Sequence, residues 1–126
     1  MTDRELLQAA KSAAERAYAP YSRFCVGAAL LAADGTVYTG CNIENASYSA
    51  TLCAERTAFA KAISDGKREF VKIAVVGGQN PCFPCGVCRQ VMAEVCERDF
   101  EVILTDDQET VCQFTLEELL PFAFSL

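Results

Sequence analysis

The sequence predicts an α/β fold of three layers, α/β/α, in which a mixed five-stranded sheet lies between helices. Three observations carry this. The apolar and turn patterning runs helix, strand, strand, helix, strand, helix, strand, strand, helix along the chain. The first two strands are joined at Asp34-Gly35, a hairpin turn that makes them antiparallel neighbours. The strands that follow alternate with helices, and this adds the parallel pairing of βα units. No repeat, linker or low-complexity stretch divides residues 1–126, which are read as a single domain.

Each element has its own signal. Thr2-Asp3-Arg4-Glu5 has capping-box spacing, and Leu6, Ala10, Ala13, Ala14 and Ala17 follow at helical intervals. That helix is expected to stop before Pro20. Phe24 to Ala32 reads as a buried strand, and Thr36 to Ile43 as its hairpin partner. Cys53 to Ser64 is a helix closed by Asp65-Gly66. Val71 to Val76 is a short apolar strand, and Cys85 to Glu97 a further helix. Glu101 to Thr105 and Val111 to Phe114 are strands parted by Asp106-Asp107. Thr115-Leu116-Glu117-Glu118 repeats the capping box and opens a short last helix limited by Pro121.

Composition narrows the function. The chain is 52% hydrophobic, yet no apolar run reaches the length of a membrane span. The apolar surplus is expected at subunit interfaces, which makes a homo-oligomer the expected state. Seventeen acidic residues against eleven basic ones give a net charge of -6. That sign repels a phosphate backbone, and no basic cluster with interleaved aromatics occurs, so polynucleotide binding is disfavoured. A small neutral substrate meets no such barrier. Eight cysteines without a basic, apolar export signal point to a reduced cytoplasmic protein, with a disulfide framework as the disfavoured alternative.

The chemistry concentrates in two stretches, Thr51-Leu52-Cys53-Ala54-Glu55-Arg56 and Pro84-Cys85-Gly86-Val87-Cys88-Arg89-Gln90. The chain has no histidine, so a zinc ion must be held mainly by cysteine. Cys85 and Cys88, three residues apart, reach one ion from one helical face, and Cys53 supplies a third sulfur from another helix start. Helix N-termini favour thiolate over thiol. Glu55 can share the site with Cys53 only at an irregular first turn; beside a ligand it is a candidate acid–base group and not merely a helix-start charge. Three thiolates on a dication leave a net charge of about -1, which a hydrogen bond from Arg56 to sulfur would offset. Arg89 is a second candidate for that role, with a solvated helix charge as its plain alternative.

Other metal readings stand at this level. Cys82, Cys85 and Cys88 form the C-x2-C-x2-C run of iron–sulfur proteins, but Met92 occupies the place of the next cysteine. A structural zinc site with Cys82 or Cys96 as fourth ligand is also open, though it leaves Glu55, Asn42 and Glu44 without a purpose. Cys25, Cys41, Cys96 and Cys112 are expected to pack as small hydrophobes.

With these residues in view, the chain resembles, nearly end to end, the cytidine deaminases of the small, homotetrameric, three-cysteine type. The resemblance includes Ala19-Pro20-Tyr21-Ser22-Arg23-Phe24, Val26-Gly27-Ala28-Ala29, Gly40 through Tyr48, Cys53-Ala54-Glu55-Arg56, Pro84 through Gln90 and Glu118 through Phe124. It implies that one Zn2+ per subunit is held by Cys53, Cys85 and Cys88, and that Glu55 moves protons in hydrolytic deamination of cytidine and deoxycytidine. It implies that Asn42 and Glu44 bind the ribose hydroxyls, that Phe24 packs on the pyrimidine, and that Ala54 contacts the substrate. It also implies a tetramer with shared sites, in which Ala46, Tyr48 and Phe124 reach a neighbour's ligand. A deaminase of a cytosine-containing antibiotic nucleoside uses the same chemistry and is the enzymatic alternative. The sequence departs from the family at Phe83, preceded by Cys82, where a small polar residue is usual before the proline.

Overall fold

The computed structural model describes all 126 residues and contains one five-stranded sheet with strand order β2-β1-β3-β4-β5. Helix α1 (Asp3–Ala14) leads into β1 (Gly27–Ala32) and β2 (Val37–Cys41). After a single 3-10 turn (Tyr48–Ala50) come α2 (Ala54–Ser64), β3 (Phe70–Val76) and α3 (Gly86–Val95). Strands β4 (Glu101–Thr105) and β5 (Val111–Thr115) and the one-turn helix α4 (Leu116–Leu119) complete the chain. β1 is antiparallel to both β2 and β3, β3 is parallel to β4, and β4 is antiparallel to β5. The sheet is mixed, as the element order predicts.

Side chains alternate across the strands and so build two cores. Ala29, Ala74 and Ile103 face Leu6, Leu7 and Ala10 of α1. Ala28, Leu30, Ile73, Val75, Val102 and Leu104 face the other way, onto Ala54, Ala58 and Phe59 of α2 and Met92 of α3. Phe59 anchors this larger core, edge-on to Phe70 at 5.4 Å between ring centroids and tilted against Phe100 at 6.1 Å. Burying such a ring is worth about 1.5–3 kcal/mol relative to exposure. Two glycines let the layers close: a Cβ at Gly27 would lie 1.9 Å from the Ala10 carbonyl oxygen, and one at Gly40 would lie 2.4 Å from that of Ala54. Gly40 thereby brings the start of α2 directly onto β2.

The first strand is shorter than its apolar pattern suggests. Arg23 takes a left-handed conformation with φ 58°, and pairing with β2 begins only at Gly27 opposite Cys41. The intervening backbone is captured by a side chain: Asn42 Nδ2 donates to the Phe24 carbonyl at 2.7 Å, and Asn42 Oδ1 accepts from the Val26 N–H at 2.9 Å. The 3-10 turn has no counterpart in the sequence reading, and α1 ends at Ala14, well short of Pro20. Both expected capping boxes form, at Thr2/Glu5 and Thr115/Glu118. No helix is long and apolar enough to cross a membrane.

Candidate metal centre and active site

Helices α2 and α3 start beside one another, and each presents a cysteine as its N-cap residue, Cys53 and Cys85, with extended backbone at ψ 157° and 169°. N-cap and third-position side chains converge in a capping box. The same spacing here brings Cys85 to Cys88 and Cys53 to Arg56. Because Cys53 lies outside the helical turn, Glu55 can share its side of the helix start. The three sulfurs lie within 4.8 Å of one another, with Cys53–Cys85 at 3.7 Å and Cys85–Cys88 at 3.6 Å. Zinc–sulfur bonds of about 2.3 Å at tetrahedral angles put sulfurs roughly 3.8 Å apart, so the donor set fits zinc and leaves a fourth position open. Cys82 and Cys96 stand outside this cluster, and a four-cysteine site does not form. All eight cysteines are free thiols.

The electrostatics of the cysteine cluster favour thiolate at Cys53, while the hydrogen bond to Cys53 and burial push the Cys88 thiol up. Arg56 Nη2 donates to Cys53 Sγ at 3.3 Å, as the charge argument from the sequence expects. The Arg56 Nε is buried without an acceptor. A hydrogen bond from the Cys88 thiol, burial working against it, and the neighbouring Arg56 together bring the Cys53 thiol down to about 5. Burial pushes the Glu55 carboxyl the opposite way, up to about 6. Glu55 is 4% exposed, the most enclosed acidic side chain of the molecule.

Glu55 and Cys53 line a cavity of about 340 Å³ together with Phe24, Asn42, Glu44 and Ala54. The residues of the Asn42–Glu44 segment reach it because that segment is laced on both sides. Ile43 exchanges hydrogen bonds with Leu52 at 2.9 Å in both directions, while Tyr18 N–H donates to the Asn42 carbonyl and Tyr18 O accepts from Glu44 N–H. The chain just before Cys53 is thus zipped to the chain just after β2. Glu44 Oε1 accepts from the backbone N–H groups of Tyr21 (2.9 Å) and Ser22 (3.1 Å), and Oε2 accepts from the Ser22 hydroxyl. The Ser22 hydroxyl chiefly, with its own backbone N–H, holds the Glu44 carboxyl below the usual carboxylate range. Asn42 and Glu44 therefore shape the 21–26 segment as well as rimming the cavity.

The remaining candidates fall elsewhere. Ala46 and Tyr48 sit on the exposed loop before α2, with Tyr48 84% exposed, and Phe124 is 67% exposed near the chain end. None of the three lines the cavity of its own chain. Arg89 makes no hydrogen bond to sulfur: its Nε donates to the Pro84 carbonyl (2.8 Å) and its Nη1 to the Leu119 carbonyl (2.7 Å), and the side chain is half-buried. Cys25 is exposed and does not pack as a small hydrophobe, whereas Cys96 and Cys112 pack against the larger core. Sequence reasoning passed over Ser22, whose hydroxyl fixes Glu44 across 22 positions and leaves no local signal. It also passed over Cys82 as a wall of the cavity, where burial pushes the thiol up to about 11.

Comparison with known proteins agrees with this geometry. A family model described as the cytidine and deoxycytidylate deaminase zinc-binding region matches residues 1–104. A cytidine deaminase of Sporosarcina psychrophila is 56% identical over 122 residues, covering 96% of this chain and 90% of that protein. One from Halalkalibacterium halodurans is 56% identical over 125 residues, covering 98% and 95%. Among solved structures, the 1.6 Å crystal structure of cytidine deaminase from Burkholderia pseudomallei superposes with a TM-score of 0.94 at 54% identity, covering 98% of this chain and 100% of that one. That of Mycobacterium tuberculosis superposes with a TM-score of 0.87 at 41% identity, covering 100% and 99%. Matched through both motifs that build its cysteine cluster, this chain belongs to the cytidine and deoxycytidylate deaminase family.

Proposed function

We propose that this protein deaminates cytidine and deoxycytidine hydrolytically to uridine and deoxyuridine, releasing ammonia in pyrimidine salvage in the cytoplasm. The observation that carries this is a nearly enclosed carboxyl group, Glu55, beside three convergent cysteine sulfurs at a cavity of about 340 Å³. Zinc held by Cys53, Cys85 and Cys88 supplies, when bound, a Lewis acid that brings the pKa of water toward neutrality. A carboxyl group tuned upward by burial is suited to take and return protons near neutral pH. Glu55 takes a proton from the attacking water and delivers it to N3 of the cytosine ring as oxygen adds at C4. Glu55 then carries the second proton to the exocyclic amino group, whose C–N bond breaks as the C4 carbonyl forms. Cytidine and water thus become uridine and ammonia, and the carboxylate is regenerated.

Asn42 and Glu44 offer the ribose what their backbone partners leave unused: one amide N–H, and lone pairs on the carboxylate. Phe24, on the cavity wall, packs against the pyrimidine ring, and Ala54 at the first turn of α2 contacts the base. One domain carries one such centre, with one zinc per subunit. A homotetramer with shared sites is supported by Ala46, Tyr48 and Phe124, which lie exposed and outside the lining of their own cavity.

The deciding experiment follows loss of cytidine ultraviolet absorbance with purified protein, and with Glu55→Gln at equal zinc content. General acid–base transfer is worth about 10²–10⁴ in rate, so the variant is expected to fall by at least that range while keeping its zinc. Turnover near the wild-type rate by Glu55→Gln would refute the assignment. Loss of zinc in that variant would make Glu55 a structural group.

A further inference from the structure

The residues directly after Cys88 tie the metal centre to the end of the chain. Arg89 Nε donates to the Pro84 carbonyl at 2.8 Å, and Pro84 is the buried residue immediately before Cys85. This bond fixes the peptide from which the Cys85 side chain departs. Arg89 Nη1 donates to the Leu119 carbonyl at 2.7 Å, satisfying an orphan carbonyl at the end of α4. Gln90 Nε2 then donates to the Phe124 carbonyl at 3.1 Å, the one hydrogen bond that residues 121–126 make.

Apolar anchoring beyond that point is thin. Leu119 and Leu120 pack on the larger core, but Phe122 is 98% exposed and takes a left-handed φ of 57°. The tail is therefore held at two carbonyls by neighbouring residues of α3, one of which also braces a cysteine loop. Only a guanidinium fork serves both of Arg89's acceptors at once; lysine is a single point donor of different reach.

We propose that Arg89 and Gln90 are positioning residues that join the Pro84–Cys88 ligand loop and the Leu119–Phe124 tail into one cooperative unit. Zinc at the cysteines orders the tail, and by linkage an ordered tail retains the zinc. The proposal rests on the reading that Cys53, Cys85 and Cys88 hold zinc, but on no step of the deamination. Because Phe124 is the residue assigned to a neighbour's site, metal loading and site completion would rise and fall together.

The test uses the zinc-loaded protein and two readouts independent of turnover: zinc release to a chromogenic chelator, and trimming of the tail by a serine carboxypeptidase that the chelator does not inhibit. Stripping zinc from the wild type is expected to speed trimming severalfold. Arg89→Ala is expected to release zinc about tenfold faster, within the range seen when groups supporting metal ligands are removed, and to show trimming that no longer responds to zinc. Arg89→Lys should fall between them. Gln90→Ala is the sharper variant, because it cuts a bond to the tail and touches no ligand; it should still release zinc at least about twofold faster, as coupling through connected contacts requires. If Arg89→Ala does not fold, Gln90→Ala carries the test by itself. Tail trimming indifferent to zinc in the wild type, or wild-type zinc release from Gln90→Ala, would overturn the coupling. A purified protein that neither contains nor takes up zinc would overturn the metal reading beneath it, an outcome distinct from both.

Discussion

Arg56 is placed where a single side chain would adjust a metal centre without ligating it. With zinc bound, its hydrogen bond to Cys53 Sγ would draw charge from a site whose three thiolates outweigh a dication. Arg56→Ala is expected to release zinc about tenfold faster and to lower turnover, read by chelator competition and by the cytidine assay. Arg56→Lys should recover only part of either, since the ammonium lacks the fork that reaches sulfur. Glu44 makes a second case, with a pH signature. Its carboxyl lies below the ordinary carboxylate range chiefly because of the Ser22 hydroxyl. A group with a lowered folded pKa gives its contribution fully above its unfolded value of about 4.3, and loses it as pH falls through the folded value. In Ser22→Ala the folded value moves back up. The acid-side rise in KM for cytidine is therefore expected to begin at higher pH than in the wild type, and coincident KM profiles would count against Glu44 as a ribose contact.

At the scale of elements, the close approach of α2 to β2 is what places Cys53 and Glu55 beside Asn42. It depends on Gly40, where a Cβ would come within 2.4 Å of the Ala54 carbonyl and 2.6 Å of the Thr57–Ala58 turn at Ala58 N. Neither contact is with a flexible side chain, so the helix must move. Gly40→Ala is expected to destabilise the fold by about 1–3 kcal/mol, measured by urea unfolding, and to lower activity beyond the loss of folded protein. A variant as stable and active as wild type would show that the two elements can separate without cost. Such dependence explains what the sequence makes legible. The element order, both capping boxes and the cysteine spacing are local patterns, and each appears where its pattern sits. The start of β1 is not local: the Asn42 side chain takes up the Phe24 carbonyl and the Val26 N–H across 18 and 16 positions. Arg89's carbonyl partner in α4 lies 30 positions away, and Ser22 meets Glu44 across 22. Periodicity carries no trace of hydrogen bonds made at such range.

At the scale of the whole molecule, several aromatic side chains are left exposed. Tyr48, Phe122 and Phe124 are mostly exposed, on a chain whose net charge is -6. Exposed aromatics on a loop and a tail, close to functional motifs yet outside the cavity of their own chain, are what shared sites between identical subunits would require. On the proposed assembly, a neighbouring subunit would complete the site as well as bury apolar area. Specific activity is expected to fall on dilution below the assembly constant, in step with the loss of tetramer seen by sedimentation. Phe124→Ala should raise KM for cytidine by about 3- to 10-fold, the loss of one aromatic contact, even at concentrations where the tetramer persists. The split matters: a KM effect within an intact tetramer assigns Phe124 to the ligand, whereas a weakened tetramer with an unchanged KM assigns it to the interface alone. A monomer that turns over cytidine at the full rate would remove the shared site from the account and leave Glu55 and its cysteines sufficient.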